Sequence, residues 1–518
     1  MHLGELLIAR GLVSLDELDE ALRLQAVKHG SLGEHLIALG HLTAEQLSTA
    51  VNNAPVAPAT VAETGIASRN LLNLLLKLMY AEPLGTVREL AHRIKLSARI
   101  IQAIIDDAAK LRLVQSLGLA AGEGAFSVRY SLTEQGKSAA RDALEQNLYL
   151  GPAPVSLEAY QAQIQRQRIT NEIVNEDGLR ESLSGLVVSD NYIEKLLPAV
   201  NAGQTILLFG PPGNGKSTLT SRIAQLFRDL VYIPYSVDVG GQIITLYDPK
   251  LHKPAIADAE ATTLHDRALL DRDRFDERWV ACKRPVAITG GELTLDMLEL
   301  QHNPATKFYD APLHVKAMNG MLLIDDFGRQ NFHPHQLLNR WIVPMEHQVD
   351  YLRLTGGTTF SLPFDGLVIF STNLDPSELM DPAFLRRIPY KIRLSGPGRD
   401  DYRKIFDAAA AAFGFELSNS IFDLVVSEVE ERFGLAYYQP KFICQQVKRA
   451  CLSFNRPLEL TDTGIRAALA NLYYDIENEQ AAKTEPNTLA ALEPAGPARF
   501  ESYRQELSER GRKAFAFR

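Results

Sequence analysis

The chain opens on two copies of one apolar pattern. "HLGELLIARGLVSLDELDEALRLQ" over 2–25 is echoed, 29 positions on, by "SLGEHLIALGHLTAEQLSTAVNNA" over 31–54. Each copy reads as a short helix stopped by a glycine, Gly11 or Gly40, and then a second helix. The second helices open with Ser14-x-x-Glu17 and Thr43-x-x-Gln46, both with the reciprocal spacing of a capping box. Four small helices with inward leucines are expected over 1–55. Residues 67–80 then form one apolar helix. After it the periodicity predicts helix, turn, helix and strand (86–117), a hairpin with a Gly-rich tip (118–132) and a closing helix (133–147). Residues 151–168 read as a Pro-rich linker running into a polar helix. Further on, "TILLF", "MLLI" and "GLVIF" are short unbroken apolar runs that end in polar residues. Strands buried on both faces look like this. Residues 399–475 return to helical spacing, and 476–518 are polar, Ala/Pro-rich and expected to be disordered.

Composition changes this picture little. A chain of 518 residues exceeds one core, so several domains are expected. The net charge of −9 gives no general pull toward nucleic acid or anionic membrane. The cysteines Cys282, Cys444 and Cys451 make neither a disulfide framework nor a zinc spacing. No run has membrane-spanning length, and no secretory leader pattern stands at the start. The expectation is a cytoplasmic protein that does not insert into membranes.

The chemistry sits in the middle of the chain. After the apolar run at 205–209 comes Gly210-Pro211-Pro212-Gly213-Asn214-Gly215-Lys216-Ser217-Thr218. Glycines at these spacings let backbone N–H groups wrap a β-phosphate, Lys216 reaches the β- and γ-phosphates, and the Ser217 hydroxyl ligates Mg²⁺. The strand "MLLIDD" supplies Asp325 for the metal and Asp326 to order or deprotonate an attacking water. The pattern resembles that of P-loop ATPases, which usually carry a glutamate as the second acid; Asp326 is one methylene shorter, so slow but real hydrolysis is expected. The strand 366–373 ends in Asn373, a polar tip suited to sensing the γ-phosphate. Arg386 and Arg387 close the helix before the last strand.

This order resembles an AAA+ ATPase, over about 181–475. The resemblance implies an α/β core (181–395) and a helical lid (396–475), with ATP and Mg²⁺ as cofactors. It also implies a ring, with six subunits expected, in which Arg386 or Arg387 reaches the next subunit's γ-phosphate. Lys441 stands where the lid would present an arginine, and it keeps the charge but not the fork. The hairpin predicted before the sensor strand is similar to that of the magnesium-chelatase and MoxR-like branches. From Lys216 to Asp325 is 109 positions, and the extra length carries Phe308 and Tyr309. Those aromatics either grip a polypeptide in a central pore or pack within the insertion. The opening repeat resembles the N-terminal domain of type II secretion and type IV pilus ATPases, some of which bind cyclic di-GMP. The matching residues are Leu3, Gly4, Leu18, Leu22 and Gln25, then Leu32, Gly33 and Leu47. The family's arginines are replaced here by His2 and Ser31, and its second Gln by Ala54, which should weaken binding.

Residues 60–150 resemble a winged helix. Eleven Lys/Arg and nine Asp/Glu give 61–150 a net of +2, and Arg99 and Gln102 share the presumed recognition helix with Asp106 and Asp107. That mixed face, with Glu123 in the wing tip, does not favour phosphate clamping over protein contact. The leading expectation is thus a multidomain protein: helical repeat, winged helix (α+β), a linker at 151–180, and an AAA+ core and lid. It would hydrolyse ATP to remodel a protein partner, with the front domains sensing a signal or binding that partner. The rivals are a nucleotide-switched DNA-binding regulator and a module that only binds ATP.

Overall fold

The computed structural model describes residues 4, 7–8, 11–27, 32–43, 46–47, 53–119, 128–187, 190–227, 229–255, 275–430 and 433–473. His2, Leu3, Ser31, the wing tip with Glu123, most of the Asp/Arg-rich stretch near 265 and the tail 476–518 lie outside them. The chain divides into two compact units, residues 1–397 and 398–518.

The centre of the first unit is a five-stranded parallel sheet: β1 (Ile206–Phe209), β2 (Val286–Thr289), β3 (Met321–Ile324), β4 (Leu367–Thr372) and β5 (Tyr390–Arg393), in the order β5-β1-β4-β3-β2. Ile206 pairs with both Ile369 and Tyr390, and Leu323 with both Ile369 and Ile288. Successive residues alternate between two cores, as a strand's two-residue period requires. Ile206, Leu208, Leu323 and Ile369 face one, with Leu196 and Leu219. Leu207, Leu322, Ile324 and Phe370 face the other, with Leu337 and Trp341. Every residue of β3 and β4 is buried, which explains why their sequences are unbroken apolar runs.

The described part of the long insertion is folded. Together with Val155–Ser156 from the stretch ahead of the core, Ser236–Val239, Gln242–Thr245, Gln301–Asn303 and Phe308–Asp310 make a second five-stranded sheet. Two antiparallel pairs accompany it, Leu230–Pro234 with Trp279–Lys283 and Val349–Arg353 with Thr359–Pro363. The latter is the hairpin expected before the sensor strand.

The stretch read as a linker is part of this core. Val155 pairs with Val237, and helix Leu157–Arg166 buries Tyr160 and Ile164. Two buried arginines fasten it. Arg278 grips Asp276 with its fork and donates to the carbonyls of Thr64 and Pro154 at 3.1 and 3.0 Å. Arg284 donates to Gln167 and Asn319 carbonyls at 3.0 and 2.7 Å and to the Glu172 carboxylate at 3.1 Å.

Residues 68–146 have the order helix, helix, helix, strand, strand, helix. Thr86 and Glu89 form a complete capping box, and Ser97 caps the third helix. This region is fastened to the second sheet: Leu148 N–H donates to Thr306, Lys307 reaches the Glu145 carbonyl, and Tyr149 meets Phe308 edge-on.

In the opening repeat, Ser14 and Glu17 exchange hydrogen bonds at 2.7 and 3.3 Å, and Thr43 and Gln46 at 3.1 and 2.9 Å. Gly11 and Gly40 sit at φ +65° and +79°, the left-handed stop that the sequence pattern anticipates.

The second unit packs helices Arg399–Phe413, Asn419–Val429, Gln439–Ser453 and Asp462–Leu472 around Tyr402, Phe406, Val425 and Ile443. Cys444 and Cys451 are buried there. Among the described residues no helix is long and apolar enough to cross a membrane.

Candidate functional site

The parallel sheet brings the ends of β1, β2, β3 and β4 to one edge, the carboxyl edge where open α/β sheets place ligands. Gly210 leaves β1 at φ +139°, and a Cβ there would lie 2.2 Å from the Leu394 carbonyl oxygen. Only glycine fits. Gly213 and Gly215 also have positive φ, and helix α1 (Lys216–Ile223) begins immediately after. Thr218 is exposed in its first turn, while Asn214 is buried with its side-chain oxygen unbonded.

Lys216 is 7% exposed, and all three of its ammonium protons are used. It donates to Gly210 and Pro211 carbonyls at 2.8 and 3.0 Å and to Asn373 Oδ1 at 2.5 Å. Burial lowers its pKa, while the charges of Asp325 and Asp326 oppose the shift. The Ser217 hydroxyl donates to Asp325 Oδ2 at 2.8 Å, and Asn373 Nδ2 donates to Asp326 Oδ1 at 3.2 Å. The P-loop, the end of β3 and the end of β4 therefore form one hydrogen-bonded chain.

Ser217 and Asp325 offer adjacent hard oxygens, the donor type that magnesium selects. Among the described residues no group of three or more His, Cys, Asp or Glu is arranged to hold a metal. A cation here would rely on this hydroxyl, one carboxylate, water and ligand oxygens, which suits magnesium and not zinc.

The arginines lie elsewhere. Helix α2 (Pro334–His347) and helix α3 (Pro382–Arg387) meet near the starts of β1, β4 and β5. A cavity of about 520 Å³ there is lined by Thr205, Glu346, Gly366, Arg386 and Arg387. Arg387 is engaged: Nε meets Glu346 at 2.5 Å, Nη1 meets the Ala383 carbonyl at 3.3 Å, and the guanidinium lies over Phe384. Arg386 is exposed.

Other expected site residues sit in packed surroundings. Tyr309 is 2% exposed, and its hydroxyl bonds Thr355 at 2.5 Å. Phe308 is half-buried against Tyr149. These aromatics take the packing alternative, because Phe308–Asp310 is a strand held on both edges and not a free loop. Gly4, Leu18, Leu32 and Gly33 are buried, Leu22 is half-buried, and a Cβ on Gly4 would meet Leu18 at 2.9 Å. They form the repeat's own core, which gives the cyclic di-GMP expectation no support. The Gln25 side chain lies outside the described residues. Lys441 lies in the first turn of helix Gln439–Ser453 in the second unit. On helix Ala98–Lys110, Gln102 is turned to Asp106 and Tyr130, and Lys110 to Asp107.

Sequence reasoning missed Gln330 and Glu292. Gln330 bonds three carbonyls around the two aspartates. The Glu292 carboxylate accepts from Gly290 N–H and the Thr289 hydroxyl just past β2, and these bonds lower its pKa. Neither belongs to a spaced motif, and a short polar run after a strand looks like any turn.

The mixed α/β architecture, with its parallel core, fits a P-loop fold. A family described only as a domain of unknown function (DUF8689) matches residues 398–471, nearly all the described part of the second unit. No curated protein matches. Among the solved structures that resemble the chain at low identity are two of different kinds. NtrX from Brucella abortus is 12% identical, with 69% of this chain and 72% of that one covered and a TM-score of 0.36. The RuvB Holliday junction branch migration motor of Thermotoga maritima is 15% identical, with 66% and 81% covered and a TM-score of 0.30. Likeness at that level assigns no activity.

Proposed function

We propose that this chain is a Mg²⁺-dependent AAA+ ATPase that works as a ring and remodels a protein partner. The observation that carries the reading is the linked set Ser217–Asp325 and Lys216–Asn373–Asp326, which gathers a phosphate cradle, a metal carboxylate and a water-ordering carboxylate at one sheet edge. In this reading ATP takes up the hydrogen bonds that Lys216 now gives its own loop. Magnesium, held at Ser217 and Asp325, supplies charge neutralisation for phosphoryl transfer. Asp326 orders water, and Asn373 holds Asp326 and Lys216 in a common register.

The test is turnover and nucleotide binding in two variants. Lys216→Ala should lose nucleotide binding. Asp326→Asn should bind ATP and lose about a hundredfold or more of its turnover, the usual contribution of a positioned base. An Asp326→Asn protein that turns over like wild type removes Asp326 from the mechanism. The front helices support a partner-binding role over a DNA reader, since Asp106 and Asp107 occupy the donors of Gln102 and Lys110. Salt-dependent duplex binding by the full chain would reverse that preference.

A further inference from the structure

The turn after β3 is unusual. Asp325 still belongs to the sheet, its N–H donating to the Thr289 carbonyl at 2.7 Å. The next residue, Asp326, has φ +47°, a left-handed backbone at a residue with a side chain. The chain then reverses, with Arg329 N–H on the Asp326 carbonyl at 3.0 Å and Phe327 N–H on Ser371 of β4 at 2.7 Å. In this turn the Asp326 carbonyl accepts from Arg329 N–H, and that of Gly290 from Leu293 N–H at 3.2 Å, which leaves each a second lone pair.

One side chain bridges the carbonyls of Gly290, Asp325 and Asp326. Gln330, 9% exposed, places Nε2 at 3.2 Å from the Gly290 oxygen, 3.2 Å from that of Asp325 and 3.4 Å from that of Asp326. Its own Oε1 accepts from Gly328 N–H at 2.9 Å. Both ends of the carboxamide are thus committed to the turn. It fastens the end of β2 to the peptides that carry both site acids.

We propose that Gln330 is a positioning residue that holds the left-handed turn at Asp326 and so aims the Asp326 carboxylate at Asn373 and the water. This rests on the ATPase reading above. It also explains how a side chain one methylene short serves: the backbone is rotated to present it. A carboxylate moved by about 1 Å loses up to a hundredfold in rate.

The experiment uses the full chain with Mg·ATP. Gln330→Glu keeps the shape but turns the donor into an acceptor facing three carbonyls, and Gln330→Met keeps the length without polar atoms. Each should lower kcat roughly ten- to a hundredfold with KM for ATP and thermal midpoint near wild type. In an Asp326→Asn background, adding Gln330→Met should change kcat less than twofold, since the glutamine acts through the aspartate. Multiplying effects in the double variant, or a kcat within twofold of wild type in both single variants, overturns the proposal. Loss of the fold in both single variants makes Gln330 a structural clamp and overturns it too. If Asp326→Asn alone leaves turnover intact, Asp326 is not in the mechanism and the positioning role falls while the ATPase reading stands; a wild-type chain that turns over no Mg·ATP fails the ATPase reading itself.

Discussion

Asp326 carries a conflict between backbone and chemistry. A left-handed conformation at a residue with a Cβ costs on the order of 1 kcal/mol, and aspartate is among the residues that tolerate it. Asp326→Gly should therefore hold or raise stability by up to about 1 kcal/mol while abolishing turnover, a divergence visible by pairing thermal unfolding with phosphate release. Lys77 shows a second conflict. It is 3% exposed and donates to the side chain and carbonyl of Asn147, and burial pushes its pKa down to about 8. The unfolded chain holds this proton up to about 10.5, so stability rises with pH between about 8 and 10.5. Below 8 the buried charge costs roughly 3 kcal/mol. Lys77→Met should raise the unfolding midpoint at pH 7 and lose that advantage by pH 10.5. The P-loop residues were legible in the sequence because their spacing is set by the ligand. Gln330 was not, because its role comes from a fold-dependent approach of Gly290, 40 positions away.

At the scale of elements, the buried strands announced themselves by unbroken apolar runs. The hairpin 349–363 did so by its Gly-Gly turn. The second sheet did not. Its strands are two to four residues long, and Phe308–Asp310 pairs in parallel with a strand more than 60 positions earlier, which leaves no local signature. What joins hairpin and helix is also hidden from pattern reading. Asp350, fully buried, lies 2.7 Å from His314 Nε2 and takes Arg340 at 2.6 and 3.2 Å, while Arg340 also reaches Glu299. Burial alone would raise the Asp350 pKa, but the hydrogen bonds from His314 and Arg340 outweigh it and the net shift is downward. The pair's contribution is thus present above the ordinary aspartate range and lost as pH falls below it. Asp350→Asn should cost about 3 kcal/mol at neutral pH by leaving Arg340 short of a partner. In denaturant titrations the gap from wild type should narrow below about pH 4.

For the whole molecule, the arginines discriminate among assemblies. Arg387 is held by Glu346 and Phe384, whereas Arg386 stands exposed on the cavity wall. If subunits complete one another's sites, Arg386→Ala should abolish turnover and, mixed in excess, should poison wild-type activity. Arg387→Ala should act mainly on the stability of helix α3. Additive activity in the mixture would show that each chain works alone. The division at residues 397/398 was nearly legible, since the helical period begins at 399. Fusion of the front segments with the core was not, because short Pro-rich stretches look like linkers until their partners are seen.

The arginine clasps set a limit on how the chain can be cut. Sequence boundaries suggest that the α/β core starts near residue 181, yet Arg278 and Arg284 find acceptors in Thr64, Pro154, Gln167 and Glu172. A fragment beginning at 181 would leave Arg278 only Asp276 and Arg284 only the Asn319 carbonyl, and would bare the apolar face that Val155, Tyr160 and Ile164 cover. Such a fragment should be recovered as aggregate, and a graft exchanging the first 150 residues for those of another protein should fail alike unless it reproduces the carbonyl at 64. The front of this protein is built into its core, not attached to it.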